Sequence, residues 1–532
     1  MPVIHLDNQP IEFHPGERVI DAARRAGIDI PSLCYFEEVE PSTSCLVCLV
    51  KDEATGRLLP SCGVFAEEGQ RFASETDEVR AARRSAIELL LSDHVGDCVA
   101  PCQFACPVHI DLPAMLRRIG ADDHRAAIEI IKEDLALPAT LGRVCNKPCE
   151  SGCRRGGVDS PVTVCDLKRQ VADADLASLT PYLPTPRPDT GKRVTIVGGG
   201  PTGLSAAYHL RLSGHAVTLL ERRDALGGRL LDEPEDRLPR KVLLAEIAQM
   251  LSLGVAPKLG CESAIHLEPL AGEADAILLA MGKIDADSIA SLGLKSGKRG
   301  VCVNEHSFET SLEGVFAAGQ AVRGGGPIVR SVADGKLAAE SIDQFLRGQT
   351  PHVESHPFSV RMGKLGEEET QRFYEVAVGK AEGGGRKAEI EVQRESATGH
   401  ELSDFRLPTS DFALAASRCL ACGCTAHGSC ALEKYAIEYG AQAKRFGSTR
   451  REYQAQVAAG VIYEPGKCIA CEVCAKIAAA AGEPLGLTLV GRGFNVRVGV
   501  PLNKSLAEAL TEVAEKCVAA CPTGALTSKR KA

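Results

Sequence analysis

The chain of 532 residues has no tryptophan, 5 methionines and only 4% aromatic side chains. Its cores must therefore be built from aliphatic residues. No apolar run approaches the roughly 18 residues of a membrane-spanning helix, and the opening MPVIHLDNQP has no secretory h-region. A soluble, cytoplasmic protein without a membrane span is the expectation. Long basic runs are missing and the formal net charge is −9, which argues against a nucleic-acid partner. No cysteine lies in a nucleophile–base pattern and no general acid–base set stands out for a substrate, so no residue is assigned as catalytic.

Cysteine is in excess, at 22. In a large chain without a secretion signal this points to metal rather than disulfides. The cysteines fall into groups: Cys34, Cys45, Cys48 and Cys62; Cys98, Cys102, Cys106, Cys145, Cys149, Cys153 and Cys165; Cys419, Cys422, Cys424 and Cys430; Cys468, Cys471, Cys474, Cys517 and Cys521. Cys261 and Cys302 stand apart and are expected to be buried apolar thiols. Length alone suggests about three to five domains.

Between the cysteine groups lies RVTIVGGGPTGLSAAYHLRLSGHAVTLLE, Arg193 to Glu221. It reads as strand, glycine turn, helix, strand. Gly198 permits the tight turn, Gly200 a close approach to a pyrophosphate with Pro201 and Thr202 opening the helix, and Gly203 close packing of helix on strand. Glu221 can accept from a ribose hydroxyl, with Arg222 following it. The surrounding strand, helix and acid make this a dinucleotide site rather than a glycine-rich surface turn.

Before it, IHLDNQPIEF reads as a hairpin turning at Asp7-Asn8, and Val19 to Ala26 as a helix ended by Gly27. Cys34-x10-Cys45-x2-Cys48-x13-Cys62 suits a [2Fe–2S] cluster better than zinc. This module resembles the N-terminal domain of the large iron–sulfur subunit of NADH dehydrogenases and of related hydrogenases and formate dehydrogenases. Next, C-x3-C-x3-C-P followed by C-x3-C-x3-C resembles the iron–sulfur domain of the glutamate synthase small subunit and dihydropyrimidine dehydrogenase. That resemblance implies two interleaved [4Fe–4S] cubanes. One would use Cys98, Cys102 and Cys153 with His94, four residues before Cys98, as the fourth ligand. The other would use Cys106, Cys145 and Cys149. The family's Glu or Gln ligand position is Lys168 here, which cannot serve, so Cys165 is taken as its replacement. His109 and His124 are expected to be solvated.

The segment after the fingerprint resembles the flavin domain of the same small subunit. Gly228, Arg229 and Arg237 match flavin-contacting segments, Met281-Gly282 the turn near the flavin, and GVFAAGQ the second flavin motif. There Gly319 precedes Gln320, which stands for the usual Asp, and Pro327 and Ile328 open the helix aimed at the isoalloxazine. The family's inserted NADPH domain is missing: Gly282 leads to Gly300 in under 20 residues, and a βαβ unit needs about 30. Glu382 to Val392 reads as a loop. The resemblance implies FAD without a nicotinamide partner in the chain.

At the far end, Cys419, Cys422, Cys424 and Cys430 could hold a cubane or a zinc, with His427 an alternative ligand. Cys468, Cys471, Cys474 and the distant Cys521-Pro522 resemble a ferredoxin-type cubane, which leaves Cys517 as a relic or buried thiol. The expected architecture is multidomain α/β with small α+β iron–sulfur modules. It comprises a β-grasp [2Fe–2S] domain (1–92), a helical domain with two cubanes (93–180), a Rossmann-like FAD domain (191–350), a linker (351–412) and a ferredoxin-like cluster domain (413–532), with 180–192 a Pro-rich linker.

These resemblances imply an electron-transfer oxidoreductase subunit carrying FAD, one [2Fe–2S] and about four [4Fe–4S] clusters. It would work between an NADH-oxidising flavoprotein and a hydrogenase or formate dehydrogenase catalytic subunit, and an electron-bifurcating complex is compatible with this. Two rival readings are a self-sufficient NAD(P)H oxidoreductase of the glutamate synthase type and a zinc-containing scaffold with a vestigial flavin fold.

Overall fold

The computed structural model describes residues 1–261, 267, 272–381, 409–447, 452–458 and 460–528. The chain divides into two compact units. Unit 1 holds residues 1–100 with the described parts of 358–397 and 420–532; unit 2 holds 101–357 and the described part of 398–419. Unit 2 is thus an insertion into the sequence of unit 1. The expected loop at 382–392 lies outside the described residues. Within the segment read as a linker, Glu367–Ala381 forms a helix.

Unit 1 begins with a mixed five-stranded sheet in the order Gln9–Glu12, Val3–Leu6, Arg71–Ala73, Leu49–Asp52, Leu58–Pro60. Asp7 and Asn8 adopt φ of 51° and 65°, the left-handed pair that a two-residue hairpin loop requires. The strand Val3–Leu6 pairs in parallel with Arg71–Ala73, which needs the intervening chain as a crossover. Helix Val19–Arg25 buries Val19, Ile20, Ala22 and Ala23. Helix Asp77–Ser92 is capped by Thr76, whose hydroxyl accepts from the Val79 N–H at 3.3 Å.

A second core in unit 1 joins Leu33, Cys34, Cys45 and Val47 to residues of the C-terminal segment, including Tyr435, Tyr439, Cys471 and Leu526. Arg83, fully buried, holds this junction. Its Nε and Nη2 donate to the Leu49 carbonyl at 3.0 and 2.7 Å, and its Nη1 to the Tyr439 hydroxyl at 2.9 Å. The C-terminal segment adds a three-stranded sheet, Gln456–Ala458, Val461–Tyr463 and Leu526–Ser528.

Unit 2 begins with helices Pro101–Ala105, Leu112–Gly120, His124–Asp134, Pro138–Val144, Pro148–Ser151 and Val164–Leu176. Asp111 and Asp123 cap the second and third through side-chain oxygens that accept from Ala114 and Ala126 N–H. Residues 180–192 form no helix or strand. Beyond them a five-stranded parallel sheet runs Val315–Ala317, Ala276–Leu279, Arg193–Val197, Ala216–Leu220, Val255–Lys258. Helices Pro201–Leu212 and Ile328–Leu346 pack together.

The helical module and the sheet domain are bolted by buried charge. Lys132 donates to Asp175 (2.6 Å), the Tyr182 carbonyl (2.6 Å) and Gln249 (3.1 Å). The Glu246 carboxylate accepts from the Ala139 and Thr140 N–H groups, both at 2.7 Å, at the start of helix Pro138–Val144. Among the described residues no helix is long and apolar enough to cross a membrane.

Replacing Arg83 with Met strands the buried Leu49 carbonyl and should cost unit 1 about 2–3 kcal/mol. A lower unfolding midpoint in denaturant titration is the expected result, and an unchanged midpoint contradicts it.

Candidate cofactor sites

The parallel sheet places the glycine turn at the mouth of an open cleft of about 2050 Å³. Gly198 has φ of 110°, and a Cβ there would meet the Ala280 carbonyl at 2.4 Å; a Cβ on Gly203 would meet the Gly198 carbonyl at 1.8 Å. Gly198, Gly200, Pro201, Thr202, Glu221, Arg222, Gly228, Arg229, Met281, Gly282 and Gln320 line the cleft. Glu221 is buried; it accepts from the Gly199 N–H (2.7 Å) and the Arg223 N–H (2.9 Å), which fix its carboxylate at the strand end.

Other expected contacts sit behind the wall. A Cβ on Gly319 would touch Thr202 Oγ1, and Pro327 is the N-cap residue of the helix beginning at Ile328. Arg237 points elsewhere, donating to Glu233 at 2.8 Å and toward the Val144 carbonyl at 3.5 Å. Sequence reasoning missed Arg223, held by Asp232 at 3.0 Å, and Lys283, Asp285 and Ser288, which also line the cleft. Asp285-x-x-Ser288 is a helix-capping signature, and it was the available signal.

Cys34, Cys45, Cys48 and Cys62 are all buried in unit 1. Cys48 and Cys62 sulfurs lie 3.3 Å apart. Hydrogen bonds from the Cys45 and Cys62 thiols, helped by the Cys45 and Ser44 N–H groups, pull the Cys34 thiol below its ordinary value. A loop that converges donors on sulfur in this way favours the thiolate, the form that binds iron.

In unit 2, Cys106, Cys145, Cys149 and Cys165 line one space, with aliphatic walls and Lys168. A hydrogen bond from Cys165 holds Cys145 down at about 7, whereas burial pushes Cys149 up to about 12. Gly142 makes the site possible, because a Cβ there would lie 2.5 Å from Arg169 Cβ and push the Val164–Leu176 helix away. The donor set and the enclosure fit a cubane.

In unit 1, Cys468, Cys471, Cys474 and Cys521 line a comparable space of about 340 Å³ with Tyr463 and Thr523. Burial raises the Cys471 thiol to about 12, and Cys521, Cys468 and Cys34 are the sulfurs that act on it. Cys517 lies outside that lining; it is buried and its thiol points to the Cys474 carbonyl at 3.5 Å.

The remaining thiols regroup. His94 and Cys98 belong to unit 1, and Cys102 and Cys153 to unit 2. Within unit 1 the neighbours of Cys98 are Cys424 and Cys430: the Cys424 N–H donates to the Cys98 carbonyl at 3.2 Å, and burial followed by Glu433, Cys424 and Cys430 pushes the Cys98 thiol up to about 12. A Cβ on Gly524 would lie 2.1 Å from Cys424 Sγ, so the absent side chain is the room that sulfur occupies.

His94 is half-buried, and the desolvation of its ring with the nearby Lys467 cation lowers it to about 4. Its Nδ1 has no hydrogen-bond partner. A neutral imidazole whose Nδ1 lacks a hydrogen-bond partner fits a metal ligand. Within unit 1 by itself, Cys98 is brought to Cys424 and Cys430.

Of the expected quartet Cys419, Cys422, Cys424 and Cys430, the last three belong to unit 1. Cys419 lies in unit 2, where Arg418 donates to Asp159 (3.0 Å) and the Ser160 carbonyl (2.8 Å), beyond Cys153. Cys102 stands on helix Pro101–Ala105, against which Gly152 packs so closely that a Cβ would lie 2.8 Å from Ala105 Cβ. His427 bonds Glu433 at 2.8 Å.

Three further expectations are corrected. Cys302 is exposed and Cys261 half-buried at the nucleotide cleft, since both sit in connecting loops rather than core strands. His109 is held rather than solvated: its ring nitrogens contact the Gln103 and Ser355 carbonyls at 3.2 and 3.0 Å.

An α/β chain with a glycine-turn nucleotide cleft and buried cysteine nests has the makings of an iron–sulfur oxidoreductase. Comparison with known families agrees. Residues 3–77 match a 2Fe-2S iron-sulfur cluster binding domain, 75–179 the dihydropyrimidine dehydrogenase domain II with its 4Fe-4S cluster, and 157–336 a pyridine nucleotide-disulphide oxidoreductase domain.

The chain is 32% identical over 295 residues to the NADP(+)-dependent formate dehydrogenase subunit beta of Moorella thermoacetica, covering 49% of this chain and 41% of that one. It is 36% identical over 208 residues to the NADPH-Fe(3+) oxidoreductase subunit beta of Geobacter sulfurreducens, covering 38% and 31%. It is 34% identical over 274 residues to the NAD-dependent dihydropyrimidine dehydrogenase subunit PreT of Escherichia coli K12, covering 46% and 63%. The chain thus spans between about a third and just under two thirds of these relatives' lengths.

Two substitutions test the geometry. Gly203→Ala should abolish nucleotide retention, read as flavin released per chain. Gly524→Ala should remove one cubane's share of iron and sulfide while leaving the flavin content intact.

Proposed function

We propose that this chain is a relay subunit of a multi-subunit oxidoreductase, passing single electrons along clusters fixed in its two units. The observation that carries this reading is the adjacency of the sulfur sites in unit 1. Cys34 and Cys471 share one core, and the Cys34 sulfur is among the charges felt by Cys471. The Cys521–Gly524 turn then serves two sites, supplying Cys521 to one and, through Gly524, the room for Cys424 in the other. A β-grasp [2Fe–2S] centre at Cys34, Cys45, Cys48 and Cys62 thus stands in line with a cubane at Cys468, Cys471, Cys474 and Cys521. The next in line is a cubane at His94, Cys98, Cys424 and Cys430.

In unit 2, Cys106, Cys145, Cys149 and Cys165 hold a further cubane, and Cys102, Cys153 and Cys419 are three ligands of a fourth. The Rossmann-like cleft takes FAD, whose pyrophosphate meets the helix beginning at Pro201 and whose ribose meets Glu221. FAD supplies the interchange of two-electron and one-electron chemistry. The chain's part is to enclose the clusters, order them and set their potentials by ligand type, charge and burial. The partners are an NADH-oxidising flavoprotein and a hydrogenase or formate dehydrogenase catalytic subunit, in the cytoplasm.

The chain purified without oxygen should contain about 18 iron atoms with matching sulfide, as one two-iron and four four-iron clusters require. NADH or NADPH alone should leave its visible spectrum unchanged, and NADH with an NADH-oxidising flavoprotein should bleach it. Rapid bleaching by NADH alone identifies a self-sufficient reductase instead, and zinc without sulfide identifies a scaffold.

A further inference from the structure

Helix Val164–Leu176 carries Cys165 and Lys168 three positions apart, hence on one face. Both line the same space as Cys106, Cys145 and Cys149. Lys168 is only 6% exposed. A buried ammonium needs opposite charge close by. The acidic groups on this stretch are already engaged: Asp166 accepts from Lys147 at 3.3 Å, and Glu150 from the Cys165 N–H at 2.9 Å. The other ionisable groups facing that space are the sulfurs of Cys165, Cys145, Cys106 and Cys149, which line it together with Lys168. The counter-charge of this lysine is therefore the thiolate set.

We infer that Lys168 is a fixed cation in the wall of the Cys106–Cys145–Cys149–Cys165 site that tunes the cluster there toward easier reduction. The inference rests on the reading of those four cysteines as cluster ligands. A reduced cubane carries one more negative charge than an oxidised one, so a cation in the wall stabilises the reduced form. The cavity is closed by aliphatic side chains, which keeps water from screening the interaction. Lys467, beside His94 in unit 1, differs because Glu464 is its direct ion-pair partner and offsets its charge.

The test is a redox titration followed by electron paramagnetic resonance on the full chain with its clusters, in the parent and in Lys168→Met, Lys168→Gln and Lys168→Arg. In the Met and Gln variants one [4Fe–4S] signal should become harder to reduce by about tenfold in equilibrium constant, about 59 mV for one electron. The other signals should hold their potentials, iron and sulfide should stay at the parent level, and Lys168→Arg should titrate like the parent. An unmoved set of potentials in both neutral variants overturns the inference. So does loss of one cubane's iron from both, which would make the lysine a folding element. Cys145→Ala reads the ligand assignment separately: full iron and all signals in that variant would refute the cysteine set itself.

Discussion

Sulfur that must carry negative charge while buried is the constraint on which the rest of this structure depends. Burial alone pushes thiols such as Cys98, Cys149 and Cys471 upward, toward the protonated form. The fold counters this in three ways. It points backbone N–H groups at a sulfur, as Cys45 and Ser44 do at Cys34. It brings several thiols to one small space, where a metal replaces their protons. And it sets a buried cation nearby, Lys168 in unit 2. Much of the surrounding architecture follows from those needs. Gly142 and Gly524 are small because a helix or a sulfur must come close.

The nucleotide cleft obeys a different rule. There the backbone does the recognition: Gly198 and Gly203 are forced by the Ala280 and Gly198 carbonyls, and the open helix end faces the cleft. Both Glu221 oxygens are held by N–H groups, which leaves its remaining acceptor capacity aimed by the fold rather than by rotamer choice. Cofactor position in this chain is thus a backbone property in the cleft and a side-chain property at the sulfur sites. Substitutions at the two should fail in different ways, the first by losing flavin and the second by losing iron.

Features with a local cause were legible in the sequence. The Asp7-Asn8 hairpin, the strand–turn–helix at Arg193 to Glu221 and the neighbourhood of Cys145, Cys149 and Cys165 all sit within short stretches whose spacing encodes their geometry. The approach of Cys424 to Cys98 was not legible, because spacing carries no signal across so long a stretch of intervening chain. Arg237 was not legible for another reason: Gly228 and Arg229 of the preceding segment line the cleft, but a salt bridge to Glu233 holds the Arg237 side chain elsewhere. Buried Lys168 looked like a defect because sequence offers no view of what surrounds a lysine.

Insertion of unit 2 into unit 1 also bears on how the molecule is made. A ribosome adding roughly 5–20 residues each second releases His94 and Cys98 long before Cys424 and Cys430, because the whole of 101–357 lies between them. For tens of seconds the early half of that site exists without the late half, while unit 2 can already fold. Iron delivered too soon would find an incomplete nest with free thiols. On the proposed ligand sets, the order of translation sets an order of metallation, with the His94–Cys98–Cys424–Cys430 site filled after the cysteine nest of residues 106–165.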